Sequence, residues 1–455
     1  MQPPADALNR ELTLFEYGPC SDPEEGAKLY ERRQCLQAYL NKGWLTRSFE
    51  GEQACLKASH YVGLLPFSSD GGAKLLRIAP KGCRRDPDRG LLHFLQLIAL
   101  GNGETLPEQL PGGEGQQGAD RFLLFLAHHY ARLLQELCWR DFRSYYRPEE
   151  DELRSRIRGR LRLPVYARLA VRGKPHVLPC RWDEFTVDNW DNRILWAAAR
   201  RLKQLAGTFD PQAAALLWHP FKQLLPWFSA VAEVPITSYD LRKSRLGRTS
   251  RYYRSALAWA ELLIRGSDLP IAGGQVPPLV LDANNAFEKF AEVVARAALP
   301  DAAAWKCVPK QGSSFLHVGQ DVRSRYPDFL LSDPQQVRAV GDAKYKKVLE
   351  DAEGAALASG EEVLRRVSIQ DDDWNQLYVY MRITGATCGF VVVPFWNLNG
   401  PKYEWFPDRF HFHKSPCDSN VHLAVLALNL LQPLTEVKRE AAKQLRSWLA
   451  SSKEG

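Results

Sequence analysis

Two carboxylates and an ammonium at a short spacing, Asp328 and then Asp342 with Lys344, are the residues of this chain best suited to chemistry. Side chains alternate along a strand, so Asp342 and Lys344 point the same way and Ala343 turns inward. Asp328 opens the preceding apolar run, within Tyr326-Pro327-Asp328-Phe329, and a hairpin would bring it beside them. Such a set suits the hydrolysis of a phosphodiester. Carboxylates hold Mg²⁺ through oxygen, and the metal stabilises charge on the phosphoryl group and acidifies a water. The Lys orients that water or neutralises the developing oxyanion. The Ala343 carbonyl is placed to add a further metal oxygen.

The elements that must position these groups are legible on either side. Upstream, 284–299 carries Phe287, Phe290, Ala291 and Val294 at helical spacing, and Glu288 lies beside that stripe, where it can complete the metal site directly or through water. Downstream, Asp371-Asp372-Asp373 caps a helix whose expected buried face is Trp374, Leu377, Tyr378 and Met381. Gln376 sits just off that face and is assigned to hold Lys344 or the scissile phosphate. The apolar run 388–395 then reads as a buried strand. Helix, strand with Pro-Asp, strand with Asp-x-Lys, helix, strand is the order of a mixed-sheet, restriction-endonuclease-like core.

At this point the chain resembles a known family. The segments Asn285-Ala286-Phe287-Glu288-Lys289-Phe290, Pro327-Asp328-Phe329-Leu330, Asp342-Ala343-Lys344-Tyr345-Lys346 and Asn375-Gln376-Leu377-Tyr378-Val379-Tyr380 look like the McrC family. That family is the nuclease subunit of modified-cytosine-dependent restriction systems, within the PD-(D/E)xK superfamily. Ile157-Arg158-Gly159-Arg160-Leu161 and the run from Asp188 to Leu195 also resemble it, although Asp191 and Trp196 depart from its pattern. The resemblance spans about the last two thirds of the chain. It implies an α+β and α/β multidomain protein with a β-rich N-terminal domain that docks on a partner. The implied partner is a McrB-like AAA+ GTPase hexamer that recognises modified DNA and translocates it, so GTP enters only through that partner. Cutting a duplex would then take two copies, each cleaving one strand.

Composition fits this setting. The chain has 455 residues, enough for two or three domains, and a formal charge of +7, which suits a DNA partner without demanding one. Nine cysteines without a C-x-x-C pair argue against a disulfide framework and for a reducing cytoplasm. No signal peptide is expected, and the longest apolar runs fall short of the roughly twenty residues of a membrane helix. No G-x-x-x-x-G-K-[S/T] phosphate loop occurs, so the chain is not expected to hydrolyse nucleotides itself. His411 and His413 have strand spacing for zinc, but no Cys or acid recurs nearby at ligand spacing, and a zinc site is rejected.

Charge placement adds candidate DNA contacts. Arg154, Arg156, Arg158, Arg160 and Arg162 occupy alternate positions; as a strand this stretch would have one wholly basic face. A second cluster includes Arg242, Lys243, Arg245, Arg248, Arg251 and Arg254. Arg158, Arg160, Arg245, Arg248 and Lys346 are the named candidates for phosphate contact. The plainer reading is a solvated face, or pairing with the acidic run Glu149-Glu150-Asp151-Glu152.

Along the chain, 1–152 reads as the β-rich docking domain, with a hairpin around Asp70-Gly71-Gly72, a polar loop over 101–118 and a helix over 120–139. Residues 153–275 read as the basic strand and a helical region, and 276–455 as the nuclease core. Two other functions stay open: an activator of an AAA+ motor that uses a nuclease fold only to grip DNA, and a stand-alone DNA-repair or RNA-processing nuclease.

Overall fold

The computed structural model describes residues 11–20, 22–69, 72–83, 86–104, 106, 119–207, 211–244, 250–265, 278–299, 306–309, 316–318, 321–323, 327–345, 369, 371–397, 399–407 and 421–451. The chain divides into two compact units, one made of 1–122 together with 280–455, the other of 123–279. Packing thus joins the beginning of the sequence to its end, where composition suggested three consecutive stretches, 1–152, 153–275 and 276–455.

The larger unit is built around a six-stranded mixed sheet. Its order is Lys306–Pro309, Phe329–Ser332, Val337–Ala343, Cys388–Phe395, His422–Asn429, Tyr403–Pro407. Val337–Ala343 runs antiparallel to Phe329–Ser332 and parallel to Cys388–Phe395. Every residue of Cys388–Phe395 is buried, as an uninterrupted apolar run requires when both faces of a sheet are covered. On one face, Val391, Val393 and Phe395 pack with Trp374, Leu377, Tyr380 and Met381 of the helix Asp371–Thr384. On the other, Phe390 meets Trp448 of the helix Leu434–Ser451.

The helix Ala283–Ala297 is capped by Asp282, whose carboxylate accepts the Asn285 N–H at 3.0 Å. Phe287, Phe290, Ala291, Val294 and Ala295 recur three or four apart and are all buried. Each Phe contributes about 1.5–3 kcal/mol of apolar burial. Glu288 is left half-exposed beside this stripe. The same unit holds a four-stranded sheet, Glu11–Phe15, Gly72–Ala79, Tyr61–Ser69, Leu279–Asp282, and a hairpin of Leu45–Glu50 with Gln53–Ala58. The expected hairpin forms from Tyr61–Ser69 and Gly72–Ala79, while Asp70 and Gly71 lie outside the described residues.

The smaller unit is mainly helical, with Ala119–Asp141, Trp190–Gly207 and Arg251–Ile264 among its longer helices. It also carries a long antiparallel ribbon, Tyr145–Leu153 against Leu178–Thr186. The alternating arginines do not form the expected strand. The ribbon strand ends at Leu153, the chain turns at Gly159, and only Arg160 and Leu161 rejoin the ladder before the helix Leu163–Val171 begins around Pro164. No described helix is long and apolar enough to cross a membrane.

Candidate active site

Gly341, one residue before Asp342, fixes the register that builds the site. A Cβ there would lie 1.9 Å from the Phe329 ring and 2.8 Å from Phe390, so only glycine lets the two rings close over the strand. Phe329 pairs with Gly341 across the hairpin, which delivers the preceding Asp328 to the end of the Asp342 strand. There the Asp328 carboxylate accepts the Ala343 N–H at 2.7 Å.

Alternation sends Val340, Asp342 and Lys344 towards the helix Asp371–Thr384. Asp342 is 2 % exposed, whereas Ala343, expected to turn into the core, is half-exposed. The Lys344 ammonium lies 2.6 Å from Asp342 Oδ2, 3.8 Å from Asp373 Oδ1, and donates to Gln376 Oε1 at 3.3 Å. Gln376 in turn donates through Nε2 to the Tyr380 hydroxyl at 2.6 Å.

The electrostatics follow from burial. Burial, then the Asp342 charge, and further down the Glu288 charge, push the Asp328 carboxyl up to about 7 against the opposing Ala343 N–H. Burial alone would lower the Lys344 ammonium; the carboxylates of Asp342, Asp373 and Asp328 more than reverse this, and it is held above its ordinary value. Asp342 Oδ2 is buried and meets the Lys344 ammonium at 2.6 Å as an ion pair.

Among the described residues no three His, Cys, Asp or Glu side chains group tightly enough to hold a metal on their own. The acidic pair Asp328 and Asp342, with the main-chain oxygen of Ala343 next in sequence, suits a hard cation that keeps several of its waters. Glu288 is near enough for its charge to act on Asp328, as a contact through water would require.

A family model described as McrBC 5-methylcytosine restriction system component matches residues 56–393. The chain belongs to that family. The match begins well before the last two thirds of the sequence, where the recognisable segments had placed it. No curated protein matches. Among solved structures, a chain of the half-complex from the tetradecameric assembly of Thermococcus gammatolerans McrB AAA+ hexamers with bound McrC is similar. It is 21 % identical with a TM-score of 0.53, over 97 % of this chain and 99 % of that one, which shows a shared fold. A chain of the Thermococcus gammatolerans McrBC complex aligns at 20 % identity and a TM-score of 0.40 over 64 % of this chain and 89 % of that one.

In this McrBC-family chain, two residues of the site escape a reading of the sequence. Asp373 is buried beside Lys344 rather than only capping its helix, and Tyr380, not the half-buried Tyr378, lies on the inner face. The signal was present in the spacing: Asp373, Gln376 and Tyr380 follow one another at three and four residues, a single helix face. The segment around Asp188 is scaffolding of the smaller unit. Asp188 accepts hydrogen bonds from Arg193 Nε and Nη2, from Arg147 Nη1 at 2.5 Å and from the Ala232 N–H at 3.0 Å. Asn192, fully buried, donates to Arg143 and Val187 carbonyls and accepts the Tyr253 hydroxyl. Asp191, one of the departures from the family pattern, accepts the Ser244 hydroxyl, and Trp196, the other, stacks on Phe228.

Of the candidate DNA contacts, Arg158 lies over the Trp182 ring and reaches Glu184, while Arg160 is exposed. Arg162 pairs with Glu150, as the plainer reading held. Arg245, Arg248 and Lys346 lie outside the described residues, as do His411 and His413.

Proposed function

We propose that this chain is the Mg²⁺-dependent endonuclease subunit of a McrBC-type restriction system, with a PD-(D/E)xK core formed by the six-stranded sheet and its helices. The observation that carries the reading is the meeting of Asp328, Asp342 and Lys344 at one strand end, three residues of opposite charge drawn from two strands. Asp328 and Asp342 would hold Mg²⁺, with the Ala343 carbonyl and, through water, Glu288. The bound metal would supply Lewis-acid stabilisation of the phosphoryl oxygens and a water of lowered pKa. Lys344 holds its ammonium towards the acidic pair, where it orients the attacking water and offsets charge on the phosphate. Asp373 and Gln376 fix the Lys344 side chain, and Tyr380 fixes Gln376.

The partner is a McrB-like AAA+ GTPase hexamer that selects modified double-stranded DNA, and two copies of this chain cut the duplex in the cytoplasm as a defence against foreign DNA. Support for a docked assembly comes from the smaller unit. Its helix Leu163–Val171 is apolar yet has no buried residue, and the Tyr146 and Phe185 rings meet at a tilt on the ribbon with most of their surface exposed.

The test is cleavage of a plasmid carrying 5-methylcytosine by the full chain, with and without a McrB-like partner, GTP and Mg²⁺. Asp342→Ala and Lys344→Ala are expected to lower cleavage by about a hundredfold or more while leaving stimulation of the partner's GTPase intact. Wild-type stimulation without metal-dependent cleavage would mean an adaptor, and cleavage with metal alone a stand-alone nuclease.

A further inference from the structure

A buried cluster on the far side of the Lys344 strand has no part in the chemistry just described. Tyr345 directly follows Lys344, so its side chain turns to the opposite face, where its ring lies 5.4 Å from Phe287 and 6.0 Å from Trp396. Its hydroxyl donates to Glu16 Oε2 at 2.9 Å. The ammonium of Lys81, a residue only 4 % exposed, sits 4.0 Å from the Tyr345 ring centre, 5.0 Å from that of Tyr17 and 5.2 Å from that of Trp396. Three rings around one cation form an aromatic cage.

The surroundings are built to hold these groups. A Cβ on Gly82 would lie 2.0 Å from the Trp396 indole, so the chain after Lys81 is pressed flat on that ring. Tyr17 is the one non-glycine among the described residues at positive φ, 57°, a conformation held by its surroundings. Lys344 itself has the hydrogen bond from its N–H to Val392 O at the end of the sheet ladder. The strand ends at Ala343. Beyond that point, the side chain of Tyr345 is what anchors the backbone carrying the ammonium.

We propose that Glu16, Lys81 and Tyr345 are positioning residues that fix Lys344 from behind, the cage and the carboxyl clamping Tyr345 so that the neighbouring ammonium stays on the acidic pair. The inference rests on the nuclease reading for its consequence in cleavage, but the positioning itself can be measured without cleavage.

The experiment acylates the full chain with an amine-reactive ester and follows Lys344 and Lys402 by mass spectrometry, alongside single-turnover cleavage of the methylated plasmid with partner, GTP and Mg²⁺. Tyr345→Phe and Glu16→Ala are expected to speed acylation of Lys344 severalfold with Lys402 unchanged, and to slow cleavage by about ten- to a hundredfold, as a displaced catalytic group does. Glu16→Gln, whose amide oxygen still accepts the Tyr345 hydroxyl, should restore both readouts towards wild type. Should Glu16→Ala unfold, revealed by faster labelling of Lys402 as well, Tyr345→Phe decides alone because it removes a single oxygen. Unchanged Lys344 labelling in Tyr345→Phe overturns the proposal. A Lys344→Ala protein that still cuts overturns the nuclease reading instead and leaves the labelling result standing.

Discussion

Replacing Asp328 by Asn should stabilise the metal-free protein at alkaline pH while destroying its chemistry. The Asp328 carboxyl is pushed from an ordinary 3.8 up to about 7 by burial and by the Asp342 charge beside it. A raised carboxyl favours the folded state fully below the ordinary value, and that advantage is lost as pH climbs through about 7. The shift of roughly three units corresponds to a ceiling of about 4 kcal/mol. An Asn keeps an oxygen for the Ala343 N–H and carries no charge, so it escapes the loss. For a unit of this size the difference amounts to about 5–10 °C in midpoint. The assay is thermal unfolding of both proteins in a chelator from pH 5 to pH 9. Burial also raises Glu16 to about 7, but it titrates alike in both proteins, so the difference between them isolates Asp328. The wild-type midpoint should fall relative to the variant as pH rises from 5 towards 7, and the difference should level off above that. An Asn variant that is less stable than wild type at pH 8, or a difference independent of pH, would refute the reasoning.

Three further outcomes can be checked directly. Metal affinity, measured by calorimetry with Ca²⁺ to avoid turnover, should weaken by about tenfold per pH unit below 7 and level off above 8, with about one proton released near pH 6, because the cation competes with the Asp328 proton. Gly341→Ala forces its methyl into the Phe329 ring, and a loss of about 3 kcal/mol or more is expected in denaturant unfolding, together with impaired cleavage as Asp328 shifts. Asp188→Ala strands Arg147 and Arg193 in the smaller unit and should cost about 3–5 kcal/mol by the same measurement, without altering metal affinity.

Much of the candidate site's geometry was legible because it is written in local spacing. Asp342 and Lys344 are two apart at the end of a strand, and Phe287 and Phe290 mark the helix that carries Glu288, so alternation and helical periodicity were sufficient. The buried strand Cys388–Phe395 was readable for the same reason. The arginine run misled because alternation of charge is not alternation of burial: nothing apolar faced a core, and Arg158 and Arg162 turned instead to Glu184 and Glu150. Asp373 and Tyr380 were hidden by the assumption that a run of three Asp only caps a helix, although the third of them is buried. Glu16 and Lys81 left no trace at all, since their roles depend on contacts between distant parts of the sequence.

That last distance bears on how the protein comes into being. The hydroxyl of Tyr345 reaches a carboxylate 329 positions earlier, and the sheet carrying the acidic pair closes only with strands that follow both. During synthesis the early segments must wait on the ribosome for partners not yet translated, a slow, high-contact-order assembly. On the proposed nuclease reading, a cell would then hold no half-made chain with a finished site, and its own DNA would meet a competent site only after the whole molecule had closed.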